Sequence, residues 1–132
     1  MLETTCHDDL SIQVDRHVLQ GHGKEIAVIE DHFEWNESGL GQPTGNRQIS
    51  RNDMLIESAR AALVLGELGL HQGKCAVFAM PNVADQIIWI EACKRLAVVY
   101  TAVAPNVSAH SLAERVEQLG SEVWCLLYVL VL

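Results

Sequence analysis

From Ser50 to Gly120 the chain reads as helix, strand, helix, strand, helix, with Gly or Pro at the joints. The two strand-like runs, Cys75 to Met80 and Val98 to Ala104, are apolar at almost every position rather than at every second one. A strand without a polar face needs cover on both sides. Alternating helices supply that cover, because the crossover that makes neighbouring strands parallel also lays a helix on the sheet. The expected fold class is therefore α/β: a partial three-layer sandwich with a mostly parallel sheet flanked by helices. Sheets of this kind receive ligands at the carboxyl ends of their strands.

Local punctuation sets the helix ends. Ser50-Arg51-Asn52-Asp53 has the spacing of a capping box with Asp in place of Glu. The hydroxyl can accept from the third amide of the new helix, and the acid suits the positive end of the helix dipole. That helix is expected to run to about Leu68, to bury a stripe of Leu55, Ala59, Ala62 and Leu63, and to stop at Gly69. The next opens at Asn82 to Asp85, with Ile88, Trp89, Ala92, Cys93 and Leu96 on one face and Glu91, Lys94 and Arg95 on the other. A third spans Ser108 to Leu119, with Leu112, Val116 and Leu119 inward and Gly120 at its end. Ser111 and Glu114 repeat the capping-box spacing just inside it. Val123 onward reads as a further strand. Upstream, Leu10, Val14 and Val18 predict a helix over Asp9 to Gln20, followed by a turn at Gly21-His22-Gly23 and a strand over Glu25 to Glu30. Asp31 to Asn46, with three Gly and one Pro, reads as a surface loop or the tip of a hairpin returning through Arg47 to Ser50.

Composition excludes several classes. A chain of 132 residues with 49% hydrophobic and 20% charged residues is globular and can bury a core. A net charge of −8 argues against nucleic acid and against an anionic membrane surface. The last ten residues, Val123 to Leu132, carry no charge, but a spanning helix needs about 20 apolar residues. This run suits a central strand instead, and its exposed edge is the expected route to self-association. The cysteines at 6, 75, 93 and 125 show no C-x-x-C spacing. They read as buried free thiols, which points to a reducing, cytoplasmic setting. Met1 to Thr5 shows no basic region leading into an apolar one, so a secretory signal is not expected.

Motifs for catalysis are sparse. No phosphate loop of the G-x-x-x-x-G-K-[ST] type and no G-x-G-x-x-G after a strand occurs; Gly39-Leu40-Gly41 lacks the strand-to-helix context. The histidines at 7, 17, 22, 32, 71 and 110 share no helix face at i, i+4, so no metal site is expected. Ser108 lies two residues before His110, without an oriented third member, and reads as a cap rather than a nucleophile. Trp89 reads as core, and Trp35, in a polar loop, as local packing or an interface mark. Two turns remain, Met80-Pro81-Asn82 and Ala104-Pro105-Asn106-Val107-Ser108. Each joins a strand end to a helix start, where an anion is favoured. In the plain reading Pro and Asn stop a strand and cap a helix. In the functional one the second turn touches a cofactor through Pro105, Asn106 and Ser108.

Four stretches resemble the N-terminal part of AMP-forming acyl-CoA synthetases, especially the acetyl- and propionyl-CoA synthetase group. They are Val14-Asp15-Arg16-His17-Val18; Arg47-Gln48-Ile49-Ser50 leading into an Ala- and Leu-rich helix; Cys75 to Val83, with its Met80-Pro81; and Glu91 to Thr101 followed by Ser108 to Val116. The likeness runs from about Leu10 to Val123. It implies a single incomplete domain over residues 1–132, with 124–132 as an aberrant tail. The family joins a carboxylate to ATP and then to coenzyme A, releasing pyrophosphate and AMP, so ATP, Mg and coenzyme A are implied for the full-length enzyme and none for this fragment. No catalytic residue is carried over, because the family's ATP loop and adenylation lysine have no counterpart here; the fragment is expected to be inactive alone. The family's glycine-rich, aromatic turn is Pro105-Asn106-Val107 here, a departure that bears on any coenzyme A contact. The alternative is a non-catalytic α/β module for small-molecule binding or oligomerisation.

Overall fold

The computed structural model describes residues 14–119 and the backbone of residues 123–127. A short helical segment, Val18–His22, kinked at Gly21, precedes a hairpin of β1 (Ile26–Trp35) and β2 (Gly41–Ser50). The α/β part follows as α1 (Arg51–Glu67), β3 (Cys75–Ala79), α2 (Ala84–Arg95), β4 (Val99–Val103), α3 (Ala109–Leu119) and β5 (Val123–Leu127). The three later strands form a parallel sheet in the order β4-β3-β5, with Cys75 opposite both Val99 and Val123. The chain leaves β3 toward β4 and then recrosses β3 to reach β5. Right-handed crossovers therefore put α2 and α3 on opposite faces of the sheet.

The core lies where β3 is sandwiched. All five residues of β3 are buried, and Phe78, Val77 and Ala76 are wholly inaccessible. Ala76 and Phe78 join one apolar cluster with Ala61 and Leu65 of α1 and Ala92 and Cys93 of α2. The alternate side chains of β3 occupy the other face of the sheet. Burying each large apolar side chain here contributes about 1.5–3 kcal/mol.

Helix α1 starts as expected. The Ser50 hydroxyl accepts from the Asp53 amide at 3.1 Å, and the Asp53 carboxylate accepts in return from the Ser50 amide at 3.2 Å. Its end also follows expectation. Gly69 adopts φ = +92°, its amide donates to Gly66, and the Leu70 amide reaches back to the Leu65 carbonyl at 2.9 Å. These bonds satisfy the last carbonyls of the helix. Helix α2 ends in the same motif, with Val98 donating to Cys93 at 2.9 Å and Ala97 to Lys94 at 3.1 Å, but its left-handed residue is Ala97, at φ = +53°.

Four expectations are corrected. The stripe that α1 buries is Met54, Ser58, Ala61, Ala62 and Leu65, whereas Leu63 is 71% exposed. The helix is rich in small residues around its circumference, so its apolar periodicity does not define a phase. The strand over Val98 to Ala104 is not buried: β4 lies outside β3, and Val99 is 56% exposed. Most of Asp31 to Asn46 is strand rather than loop; only Asn36 to Leu40 turns, with the Asn36 carboxamide accepting from the Ser38 and Leu40 amides. Gly21 breaks the first helical segment as expected, its φ of +92° lying in the left-handed region, and His22 begins a further turn beyond the kink. Residues Asp9 to Gln13 of that segment lie outside the described residues. Finally, Ser111 is not a cap. Ser108 is, accepting from the Ser111 amide at 3.1 Å, while Glu114 faces His110 at 3.4 Å.

Candidate functional site

The carboxyl ends of β3 and β4 lie on the same side because the strands are parallel, so both Pro-containing turns fall on one rim of the sheet. They differ in what surrounds them. The β4 turn, at the outer strand, is exposed at Pro105, Asn106 and Ser108. The Val107 amide closes onto the Ala104 carbonyl at 3.1 Å, and the Ser108 hydroxyl is engaged with Ser111. Pro105 has no amide to offer. The side chain that this turn can present to a ligand is therefore the Asn106 carboxamide.

The β3 turn is partly covered, with Met80 buried and Asn82 exposed. The hairpin lies beside it and contributes two charged residues that are direct cross-strand neighbours, Glu30 and Arg47. The Glu30 carboxylate accepts from the Ala84 amide at 2.9 Å, at the first residue of α2. Arg47 donates to Asp85 at 2.8 Å and to Glu57 of α1 at 3.3 Å. The Asp85 hydrogen bond, reinforced by the fields of Asp85, Glu57 and Glu30, holds Arg47 still more firmly in its charged form. A groove of about 380 Å³ runs between hairpin and turn, lined by Val28, Glu30, Asp31, Asn82, Ala84 and Gln86. A second, of about 350 Å³, lies between α1 and α2 and is lined by Glu57, Arg60, Ala61, Asp85, Ile88 and Trp89.

A third cluster ties the first segment to both helices. Arg95 donates to the two Asp15 carboxylate oxygens at 3.1 and 2.5 Å, and through Nε to Ser58 at 3.0 Å. Ser58 is the one polar side chain fully buried among the described residues. Arg95, expected on the polar face of α2, instead turns inward. Cys75 and Cys93 are buried and outside any disulfide, as expected, and burial pushes the Cys93 thiol up to about 11. The side chains of Cys6, Trp124 and Cys125 lie outside the described residues. Trp89 packs against the core, and Trp35 is exposed near the hairpin tip with its ring beside Gly41. Among the described residues no three His, Cys, Asp or Glu side chains converge as metal ligands would, and no helix is long and apolar enough to cross a membrane.

The family model for AMP-binding enzyme matches residues 15–126, from the Asp15 that Arg95 grips to the fifth strand. The chain belongs to the AMP-binding enzyme family. It is 34% identical over 104 residues to an acetyl-coenzyme A synthetase of Mycobacterium bovis, covering 78% of this chain and 15% of that protein. An acetyl-coenzyme A synthetase of Emericella nidulans is 33% identical over 110 residues, covering 83% and 15%. The chain thus spans about 15% of the length of the curated relatives it matches. Among solved structures, O-succinylbenzoate coenzyme A synthetase from Bacillus subtilis in complex with AMP superposes with a TM-score of 0.64 at 19% identity, over 83% of this chain and 26% of that one. At that identity the likeness speaks for the fold, which is the α/β architecture expected from the alternating segments.

Proposed function

We propose that this chain forms the N-terminal portion of an AMP-forming, acetyl- or propionyl-CoA synthetase-like ligase acting in the cytoplasm. In such an enzyme carboxylate, ATP and coenzyme A become acyl-CoA, AMP and pyrophosphate. The observation that carries this reading is the family match across 15–126 together with identity above 30% to acetyl-coenzyme A synthetases. Residues 15–126 supply scaffold in this reading: a parallel sheet, its covering helices and the rim where ligands approach. Transferring an acyl group through an adenylate needs positioned cations and amides around the developing charge. Arg47, at the rim, is committed to Asp85 and Glu57, and Arg95, at the far end of α2, is committed to Asp15. ATP, Mg and coenzyme A would be held chiefly by other parts of the ligase, with Asn106 the one side chain at the β4 turn suited to a cofactor contact.

Two experiments test the reading. The isolated chain should give no acetate- or propionate-dependent ATP–pyrophosphate exchange; robust exchange would overturn its assignment as scaffold. A chimera in which residues 15–126 replace the matching stretch of the Mycobacterium acetyl-coenzyme A synthetase should retain exchange. A folded chimera without exchange would sink the family role. In that chimera Asn106→Ala should raise KM for coenzyme A several-fold and leave acetate KM unchanged.

A further inference from the structure

The hairpin is attached to the rest of the molecule only at its base. Val28 packs against the core cluster and Ile49 belongs to it, but from Asp31 to Asn46 every residue except Gly41 is exposed. The Glu30–Arg47 rung is the last point of contact before the strands run out into solvent. Its two side chains grip successive residues of one helical turn: Glu30 the backbone amide of Ala84, Arg47 the carboxylate of Asp85. The first amides of a helix have no partner within it, so a carboxylate there meets both an unpaired donor and the positive end of the dipole. Val83, at the capping position of α2, has no side chain that could serve, and no side-chain cap is made there. The cap comes instead from a strand 54 residues away in sequence.

We propose that the Glu30–Arg47 rung is a two-point clamp that seats the hairpin on the first turn of α2, with Glu30 as the resident anion that keeps the end of β3 closed to anionic ligands. Arg47 fixes the rung's height by holding Asp85 and Glu57 together; Glu30 then sits at hydrogen-bonding distance from the amide. The two grips act as one unit because they sit on one cross-strand pair. A ligand phosphate approaching this turn meets the Glu30 carboxylate, with Asp31 and Asp85 beside it, and finds the Ala84 donor already used.

Amide hydrogen exchange and ¹H–¹⁵N spectra of the full chain test the clamp. Glu30→Ala should lower protection of the Ala84 amide about tenfold, the loss of one charge-assisted bond, while the Ala76 and Phe78 amides of β3 hold theirs. Glu30→Gln, which keeps an acceptor of similar shape, should lose less. Arg47→Met does not touch the Ala84 amide, yet should lower its protection several-fold. Inorganic pyrophosphate should leave the Ala84 resonance of the unmodified chain in place. The proposal is overturned if Arg47→Met leaves Ala84 protected as before, if Glu30→Ala weakens β3 as much as Ala84, or if pyrophosphate shifts Ala84 in the unmodified chain.

Discussion

Helices α1 and α2 end in the same hydrogen-bonded motif, one closed by Gly69 and the other by Ala97, and this pairing makes a reciprocal prediction. A Cβ added at Gly69 would meet nothing within 4 Å, so Gly69→Ala changes only backbone energetics. Left-handed backbone costs an L residue about 1–2 kcal/mol. Against that, Ala stiffens the unfolded chain and returns about 0.4–1 kcal/mol. The net is a loss of about 1 kcal/mol for Gly69→Ala. Ala97→Gly reverses both terms and also removes a half-buried methyl, leaving a gain of about 0.5 kcal/mol. Urea unfolding followed by far-ultraviolet circular dichroism at low protein concentration measures both. The midpoints should move in opposite directions with unchanged slopes. If only unfolded-chain entropy mattered, Gly69→Ala would stabilise and Ala97→Gly destabilise. That result would refute the claim that the left-handed conformation at these two positions governs the helix ends.

Further outcomes follow from the clusters. Arg95→Met should cost about 2 kcal/mol: about 1 for the buried Ser58 oxygen left without a donor and about 1 for the half-buried Asp15 pair. The Asp15→Asn cost should shrink in high salt while the Ser58→Ala cost should not, and a urea series at two ionic strengths separates them. Phe78→Ala at the centre of β3 should cost about 3–5 kcal/mol, enough to abolish the cooperative urea transition of a marginal domain. In the native chain Cys93, buried and with its thiol raised to about 11, should alkylate far more slowly than a free thiol; peptide-level mass spectrometry showing free-thiol rates would contradict its burial. The Ser50 bonds hold the Asp53 carboxyl below the usual aspartate range. A depressed native value means a contribution present above the unfolded value and lost as pH falls through the native one. Asp53→Asn should therefore destabilise at neutral pH and be silent in acid, which melts across a pH series would show.

The features legible in the sequence are those that depend on near neighbours. Ser50 and Asp53 are three residues apart, and the capping box formed. Gly69 and Pro81 punctuate on the spot, and α1 and β3 end beside them. The hairpin is hidden in the sequence for an equally local reason. Gly39, Gly41, Pro43 and Gly45 crowd one stretch, and such residues usually mark a loop. Here the ladder shifts register between His32 and Phe33, opposite Gly45 and Pro43. An irregularity of that kind tolerates a residue without an amide inside a strand. The exposure of β4 could not be read locally at all. Val99–Val103 is nearly as apolar as β3, and what chiefly distinguishes them is that β5 pairs on the far side of β3 rather than of β4.

The same division explains the charged residues. Arg47 with Asp85, Glu30 with Ala84 and Arg95 with Asp15 are separated by 38, 54 and 80 positions. Each looks, within its own element, like an ordinary solvated charge; Arg95 even lies where helical periodicity assigns a polar face. Only the packing of α1 on α2 brings Ser58 beneath it. One sequence clue did point there: the Asp15-Arg16-His17 triplet that resembles the synthetase group. Its Asp15 is the residue that Arg95 holds, so part of that likeness is structural, a tie between the first segment and the helices. The rim of the sheet then divides by topology. The β3 turn, at the strand between its two partners, keeps Asn82 exposed but has its helix start capped by the chain's own Glu30, whereas no strand of the hairpin caps the β4 turn, where Asn106 is exposed. A ligand reaching this part of the fold meets a carboxylate at the first turn and a free carboxamide at the second, and it is at the second that substitution should alter binding.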